Sequence, residues 1–285
     1  MKAHSTASTA HWRARRAAEG VSVELIARVG YVAKGVVYAI IAWFAIEAAF
    51  SAGGRTTGSR GALAQIVSET YGEVLLILIA IGLSAYAFWR FVQSVADAEN
   101  EGTDLKGLVT RALYFASGVV HASLVIWASQ LIAGDTSSGE QQSGADSFAT
   151  QLMSTSYGQW LVAAVGVMVI AVGIAQFVRG YREKFTRRLN LSSLTPELRK
   201  WAVRSGKAGL MARGVVFWII GVFFVVAAYR ADPQEAKGLG GALRALEQAP
   251  YGPYLLGAVG IGLLGYAVHQ FVTARLRVFP STGRS

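Results

Sequence analysis

Arg28-Val29-Gly30-Tyr31-Val32-Ala33-Lys34-Gly35-Val36-Val37-Tyr38 opens a unit that the chain writes three times. Seven positions after a basic residue at Arg28, Arg111 and Lys207 comes a glycine, Gly35, Gly118 and Gly214, and valine fills both following positions in every copy. Each copy then runs through a long apolar stretch to a polar segment and a Tyr-Gly pair: Tyr71-Gly72, Tyr157-Gly158 and Tyr251-Gly252. A second apolar stretch closes the unit on Arg90-Phe91-Val92, Gln176-Phe177-Val178 and Gln270-Phe271-Val272. Repetition of this kind decides the architecture before any single residue is weighed.

The apolar stretches near 29–50, 73–92, 109–132, 160–179, 209–229 and 252–272 each approach or exceed the ~20 residues that cross a bilayer. Composition agrees, with 53% hydrophobic residues, 15% charged and a mean hydropathy of +0.40. The expected fold is all-α, an integral membrane bundle of six helices. The repeats divide the chain into 22–100, 101–190 and 191–278, flanked by a basic N-terminal segment at 1–21 expected to lack fixed structure and a tail at 279–285. The chain contains no cysteine, which excludes disulfides and thiolate metal sites. The first apolar run is too long for the core of a cleaved signal peptide and reads as a retained anchor.

The net charge of +10 follows from topology. Five Lys or Arg residues lie in the N-terminus through Arg28, three between helices two and three, ten from Arg179 to Arg213, and three after helix six. The other three connections carry five together. The positive-inside rule therefore places both termini in the cytoplasm, with the protein in the plasma membrane. A nucleic-acid partner is not expected, because the basic segments lack interleaved aromatics. The partner class the charges suggest is anionic lipid headgroups on the cytoplasmic side, with Thr195–Trp201 reading as an interfacial helix against them.

Two helices per repeat put all three copies in one orientation, so the repeats are parallel and a pseudo-threefold axis along the membrane normal is the natural closure. Short amphipathic segments (Ala62-Leu63 to Ile66, Phe148 to Leu152, Ala242-Leu243 to Leu246) precede each Tyr-Gly and are expected to lie on the outer surface of the bundle or bilayer.

Steps of three and four along each odd helix trace one face: Arg28, Tyr31, Gly35, Tyr38; Arg111, Tyr114, Gly118, His121; Lys207, Leu210, Gly214, Phe217. The even helices answer with Gly82-Tyr86-Arg90, Met168-Val172-Gln176 and Gly262-Tyr266-Gln270. One reading makes these stripes packing seams, with Gly35, Gly118, Gly214, Gly82 and Gly262 letting backbones approach and the basic residues snorkelling to headgroups. The other makes them the lining of a central cavity, with Tyr38, His121 and Gln176 inside it and a cytoplasmic rim of Arg28, Arg90, Arg111 and Gln270. His121 lies about 15 Å above its basic anchor, near the middle of a ~30 Å hydrocarbon core, where polar groups are costly. Lys34 and Arg213 share a repeat position and lie close enough to the interface to snorkel.

Catalytic machinery is not found. Gly260-Ile261-Gly262-Leu263-Leu264-Gly265 matches a dinucleotide fingerprint by letter, but it sits inside an apolar helix with no strand before it. No cofactor or metal is expected, and the chain does not read as an enzyme. The Arg-x-Gly-Tyr-x-x-x-Gly-Val-Val-Tyr opening, complete at 28–38 and altered in the later copies (Lys207 replaces the arginine), resembles the bacterial membrane family known as domain of unknown function 1206. That resemblance covers about residues 22–278 and implies a plasma-membrane protein with no assigned activity. Two functions remain open: a non-enzymatic bundle that interacts with lipid or protein, or a channel or transporter for an anionic or neutral solute along the pseudo-threefold axis.

Overall fold

The computed structural model describes residues 4–50, 56–67, 71–134 and 144–279. Among these the chain forms nine α-helices: α1 (His4–Phe50), α2 (Ser59–Val67), α3 (Gly72–Val95), α4 (Leu105–Ile132), α5 (Gly144–Met153), α6 (Gly158–Tyr181), α7 (Pro196–Arg230), α8 (Leu239–Glu247) and α9 (Gly252–Leu276). The six long ones, α1, α3, α4, α6, α7 and α9, are each long and apolar enough to cross a membrane. A helix of 24 residues such as α3 is ~36 Å long, against a hydrocarbon core of ~30 Å. The chain ends and the α6–α7 connection share one end of the bundle, called the base below; α2, α5 and α8 form the opposite end, the rim.

Two expectations change at the base. The N-terminal segment expected to lack structure runs as helix from His4 into the first span. Thr195–Trp201 is not a separate interfacial helix but the first turns of α7, because no proline or turn residue stops the helix before the apolar run. Thr195 caps it and Pro196 occupies the first turn. The tail beyond Phe279 lies outside the described residues.

The repeated motifs now acquire physical reasons. In each Tyr-Gly pair the glycine starts the second long helix directly beneath the end of a short one. A side chain at Gly72, Gly158 or Gly252 would strike the carbonyl of Ile66, Leu152 or Glu247, so only glycine permits the tight reversal. The short helices pack on the bundle rather than on lipid: Ala62, Leu63, Ala149, Ala242 and Leu243 are fully buried, whereas Phe148 stays half exposed.

The opening glycine of each repeat meets the closing phenylalanine of the repeat before it. Gly35 lies against the Phe271 ring and Gly118 against the Phe91 ring, while Gly214 sits closer still, on the Phe177 backbone and Cβ. These three equivalent joints connect α1 to α9, α4 to α3 and α7 to α6, and set the repeats around a pseudo-threefold axis. The opening basic residues reinforce the same joints. Arg28 donates to the Ala274 and Arg275 carbonyls at the end of α9, and Arg111 to the Ser94 carbonyl of α3 at 2.7 Å. Lys207 reaches Glu183, beyond the end of α6, at 3.2 Å. Cations at helix C-termini neutralise the unpaired carbonyls and the negative dipole end. Arg28 and Arg111 therefore do not rim the cavity, as the sequence suggested; each is bonded to the end of the neighbouring helix.

Within a repeat the three copies differ. In the first, Gly30 touches the Tyr86 backbone and Gly82 sits over Ala33; in the third, Gly209 touches the Tyr266 backbone and Gly262 sits over Ala212. The middle copy has Leu113 and Met168 at those two positions. Two bulky side chains replace two glycines, and α4 and α6 stand apart. α6 instead packs backbone to backbone on α7 through Gly166, Gly173 and Gly180. In consequence α4 and α6 are the least buried spans, with 17% of the most apolar window buried in each, against 33–56% in the others.

Candidate functional site

The parting of α4 from α6 leaves a cavity of about 2070 Å³ inside the ring, running from a polar floor near the base up to the short helices of the rim. Three cations form the floor: Lys34 from α1, Arg90 from α3 and Arg213 from α7. Lys34 and Arg213 stand six residues above their basic anchors, about 9 Å into the bundle. Lys34 is only 2% exposed, so it does not snorkel as expected; Arg90 and Arg213 are partly buried and line the cavity.

Tyrosines hold the three in place. Tyr86 accepts from Lys34 Nζ at 2.7 Å and from Arg90 Nε at 2.8 Å. Tyr38 accepts from Arg213 Nε at 3.0 Å, and Gln176 accepts from Arg213 Nη1. Aromatic faces add cation–π contacts: Lys34 lies 4.4 Å from the Tyr86 ring centre, and Arg213 lies 4.2 Å from Phe217 and 5.0 Å from Tyr266. Among the described residues no carboxylate pairs with any of the three. Donors exceed acceptors: Lys34 uses one of three N–H groups and Arg213 two nitrogens of its fork. Charges removed from water without a counter-ion are costly, and an anion in the cavity would satisfy the unused donors.

His121 lies above the floor with its ring 4.5 Å from that of Tyr86. Its Nδ1 lies 2.7 Å from the Ser117 carbonyl, not from a hydroxyl, so Nδ1 carries the proton and Nε2 is the acceptor. Of the residues singled out in the sequence, the structure brings Tyr38, Arg90, His121 and Gln176 to this cavity. Gln270 sits below it, donating to Tyr266 at 2.6 Å, and the five glycines are at helix contacts. Lys34 and Arg213 are the central residues that the sequence assigned to the interface instead. The available signal was their shared repeat position, three residues after Tyr31 or Leu210 on the same face.

Beneath the floor a second space of about 110 Å³ shares Arg90, Gln176, Arg179 and Arg213 with the first. His269 lines it with Nδ1 buried and without a partner. The α6–α7 connection closes the base below. Its Phe185 and Leu191 are buried, and Arg188 bridges Glu99 at 2.9 Å and Glu101 at 2.7 Å while Arg277 also binds Glu99. Burial works against the Arg188 charge, but its bond to Glu101 and the nearby Glu99 carboxylate outweigh burial and hold its pKa above the ordinary arginine value.

Six spans, three tandem two-helix repeats and a basic-floored central cavity define a multi-pass membrane protein. The chain belongs to the family described as Domain of Unknown Function (DUF1206), whose profile matches residues 29–97, 112–183 and 208–277, one match per repeat. A relative from Bacillus subtilis (strain 168), the uncharacterized protein YxxB, is 31% identical over 250 residues, which cover 88% of this chain and 90% of the relative. No solved structure matches the chain.

Proposed function

We propose that this protein is a non-enzymatic transporter of the plasma membrane that takes an anion into its central cavity. The observation that carries the reading is the floor: three cations, fixed by tyrosines, with unused donors and, among the described residues, no carboxylate partner. A bundle whose stripes were only packing seams would have no reason to hold three such charges around a cavity of this size. Arg90, Gln176 and Arg213 line the spaces on both sides of the floor, which marks a path continued toward the base and closed there by the Arg188–Glu99–Arg277 cluster. The basic base faces the cytoplasm under the positive-inside rule, so the wide cavity opens toward the exterior, and the exposed basic residues of the α6–α7 connection meet anionic headgroups. Reporter fusions check the orientation: one after Ser285 scores as cytoplasmic and one near Ser138 as external, and a cytoplasmic signal at Ser138 overturns it.

The anion reading has a test that needs no known solute. Because the chain lacks cysteine, Ser123→Cys places a single thiol on the cavity wall. Its modification rate is compared for membrane-impermeant methanethiosulfonates bearing a sulfonate or a trimethylammonium group. A cation about 10 Å away at an effective dielectric of ~20 contributes ~1.7 kcal/mol, so a preference of at least about tenfold for the sulfonate is expected. Arg213→Gln and Lys34→Gln each reduce it. Equal rates, or a faster cationic reagent, refute the reading.

A further inference from the structure

We infer that the ligand of the cavity is an anionic membrane lipid, with a phosphate or carboxylate head and a long hydrocarbon chain, which enters sideways between α4 and α6. The inference rests on the anion reading above and adds what the walls, the size and the side of the cavity say about the rest of the molecule.

Size comes first. Pockets of ~300–1000 Å³ enclose ordinary small ligands, and this one holds about 2070 Å³. The walls come second. From Lys34 to the level of Glu47 is thirteen residues of α1, about 20 Å. Over that height Leu83, Leu124, Val165, Val169 and Phe217 make much of the wall, with Tyr38, Ser117, His121 and Ser123 set among them, and the wall turns polar again at the rim, at Arg60, Asp146, Lys237 and Arg244. An inorganic anion gains nothing from the apolar wall between floor and rim, whereas an acyl chain does.

The third observation is the opening. Val119 and Val120 on α4 and Met168 on α6 line the cavity and are also about half exposed, so the interior reaches the flank of the bundle at the parted pair. Polarity fits as well. The cationic floor lies about 9 Å from the base, with apolar walls rising away from it. That is the polarity of a lipid already in the base-side leaflet, head toward the base and chain toward the midplane. A lipid leaving that leaflet through the gap would keep its orientation and move its head inward by roughly two helical turns. There the head meets Lys34 and Arg213, whose unused N–H groups supply the donors that a phosphate or carboxylate accepts.

The test uses the full-length protein in nanodiscs of zwitterionic phosphatidylcholine, titrated with hexadecyl phosphate, hexadecylphosphocholine or inorganic phosphate and followed by its unfolding midpoint. Hexadecyl phosphate is expected to raise the midpoint saturably, and hexadecylphosphocholine at the same mole fraction, with the same chain, is not. Met168→Trp, which fills the opening where the chain would lie, weakens the hexadecyl phosphate response at least about tenfold. Should Met168→Trp fail to fold, Lys34→Gln decides, because it must abolish the same response without touching the opening. Inorganic phosphate acting as strongly as hexadecyl phosphate, with the reagent preference intact, overturns the lipid inference and leaves the anion reading standing. Loss of the reagent preference sinks both. A dimer that Met168→Trp dissociates would mean that a second copy fills the gap, and this also overturns the inference.

Discussion

The outer repeats and the middle repeat are built from one motif and end in opposite states. In the first and third, two glycines let the paired helices touch, Gly30 and Gly82 in one and Gly209 and Gly262 in the other. The middle repeat carries Leu113 and Met168 instead, and its helices part. The joints between repeats keep the symmetry, since Gly35, Gly118 and Gly214 each receive a phenylalanine from the preceding copy. Symmetry therefore holds the ring together, and its local failure makes the cavity. The floor follows the same division: Lys34 and Arg213 come from the closed repeats, while the middle copy has Ser117 at their position. Charge is supplied by the repeats that can bury it, facing the one that opens.

The largest effect is expected from opening a closed repeat. A methyl at Gly30 would lie 2.6 Å from the Tyr86 backbone, which has nowhere to move. Gly30→Leu and Gly209→Leu should each cost more than ~3 kcal/mol, above the usual overpacking range of ~1–3. A chain that barely accumulates, or melts far below wild type in detergent, is the expected result. Gly118→Leu meets the ring of Phe91, a side chain that can swing, and belongs within that ~1–3 kcal/mol range. If all three variants behave like wild type, the glycines are not where helices meet.

The converse change closes the open repeat. Leu113→Gly with Met168→Gly restores the glycine pair of the outer copies, and α4 can then approach α6. Met168 is half exposed, so little burial is lost there. The expected outcome is a narrowed cavity, read as at least about fivefold slower modification of Ser123→Cys, on the scale of 1 kcal/mol of hindrance. Unchanged reactivity would mean that something other than the two wedges holds the pair apart.

Much of this plan is legible in the sequence and some of it cannot be. Six spans, three parallel repeats and ring closure follow from periodicity and length, because burial of apolar surface constrains them directly. Arg28 and Arg111 were misplaced because a long cation is equally able to reach a headgroup or a neighbouring carbonyl, and only the packed neighbour decides between them. Lys34 and Arg213 were assigned to the interface for a related reason: snorkelling is the cheaper course on an isolated helix, but a cavity with tyrosine acceptors removes the need. The opening itself hid in two ordinary apolar residues. Leu113 and Met168 carry no signal alone; they speak only when aligned with the glycines of the other copies.

A smaller effect of unusual sign is expected at Lys34. Burying an ammonium group without a carboxylate partner is costly, and replacing buried charge by an apolar side chain of similar length is often neutral or stabilising by ~1–4 kcal/mol. Lys34→Met should therefore hold or raise the unfolding midpoint while the sulfonate preference at Ser123→Cys falls. Stability gained where function is lost marks a group kept for its ligand. A strong loss of stability with the preference unchanged would instead make Lys34 a structural brace for Tyr86.

The smallest effect belongs to His121, where the middle repeat is made to resemble the third. Phe217 stands at the equivalent position and packs against Arg213 at 4.2 Å, so the fold accepts phenylalanine there. His121→Phe keeps an aromatic ring against Tyr86 and gives up one bond to a helical carbonyl that is already within a helix. Losing that bond together with the desolvation of the imidazole should nearly cancel, leaving a change within ~1 kcal/mol. The informative measurement is function at unchanged stability. If Nε2 faces the ligand, the variant folds normally but binds hexadecyl phosphate more weakly, or fails to complement a deletion strain. If the ring only fills space between α4 and Tyr86, both properties stay as in wild type. The floor cations would then carry recognition alone, and the histidine would be one more place where the middle copy drifted from its neighbours without consequence.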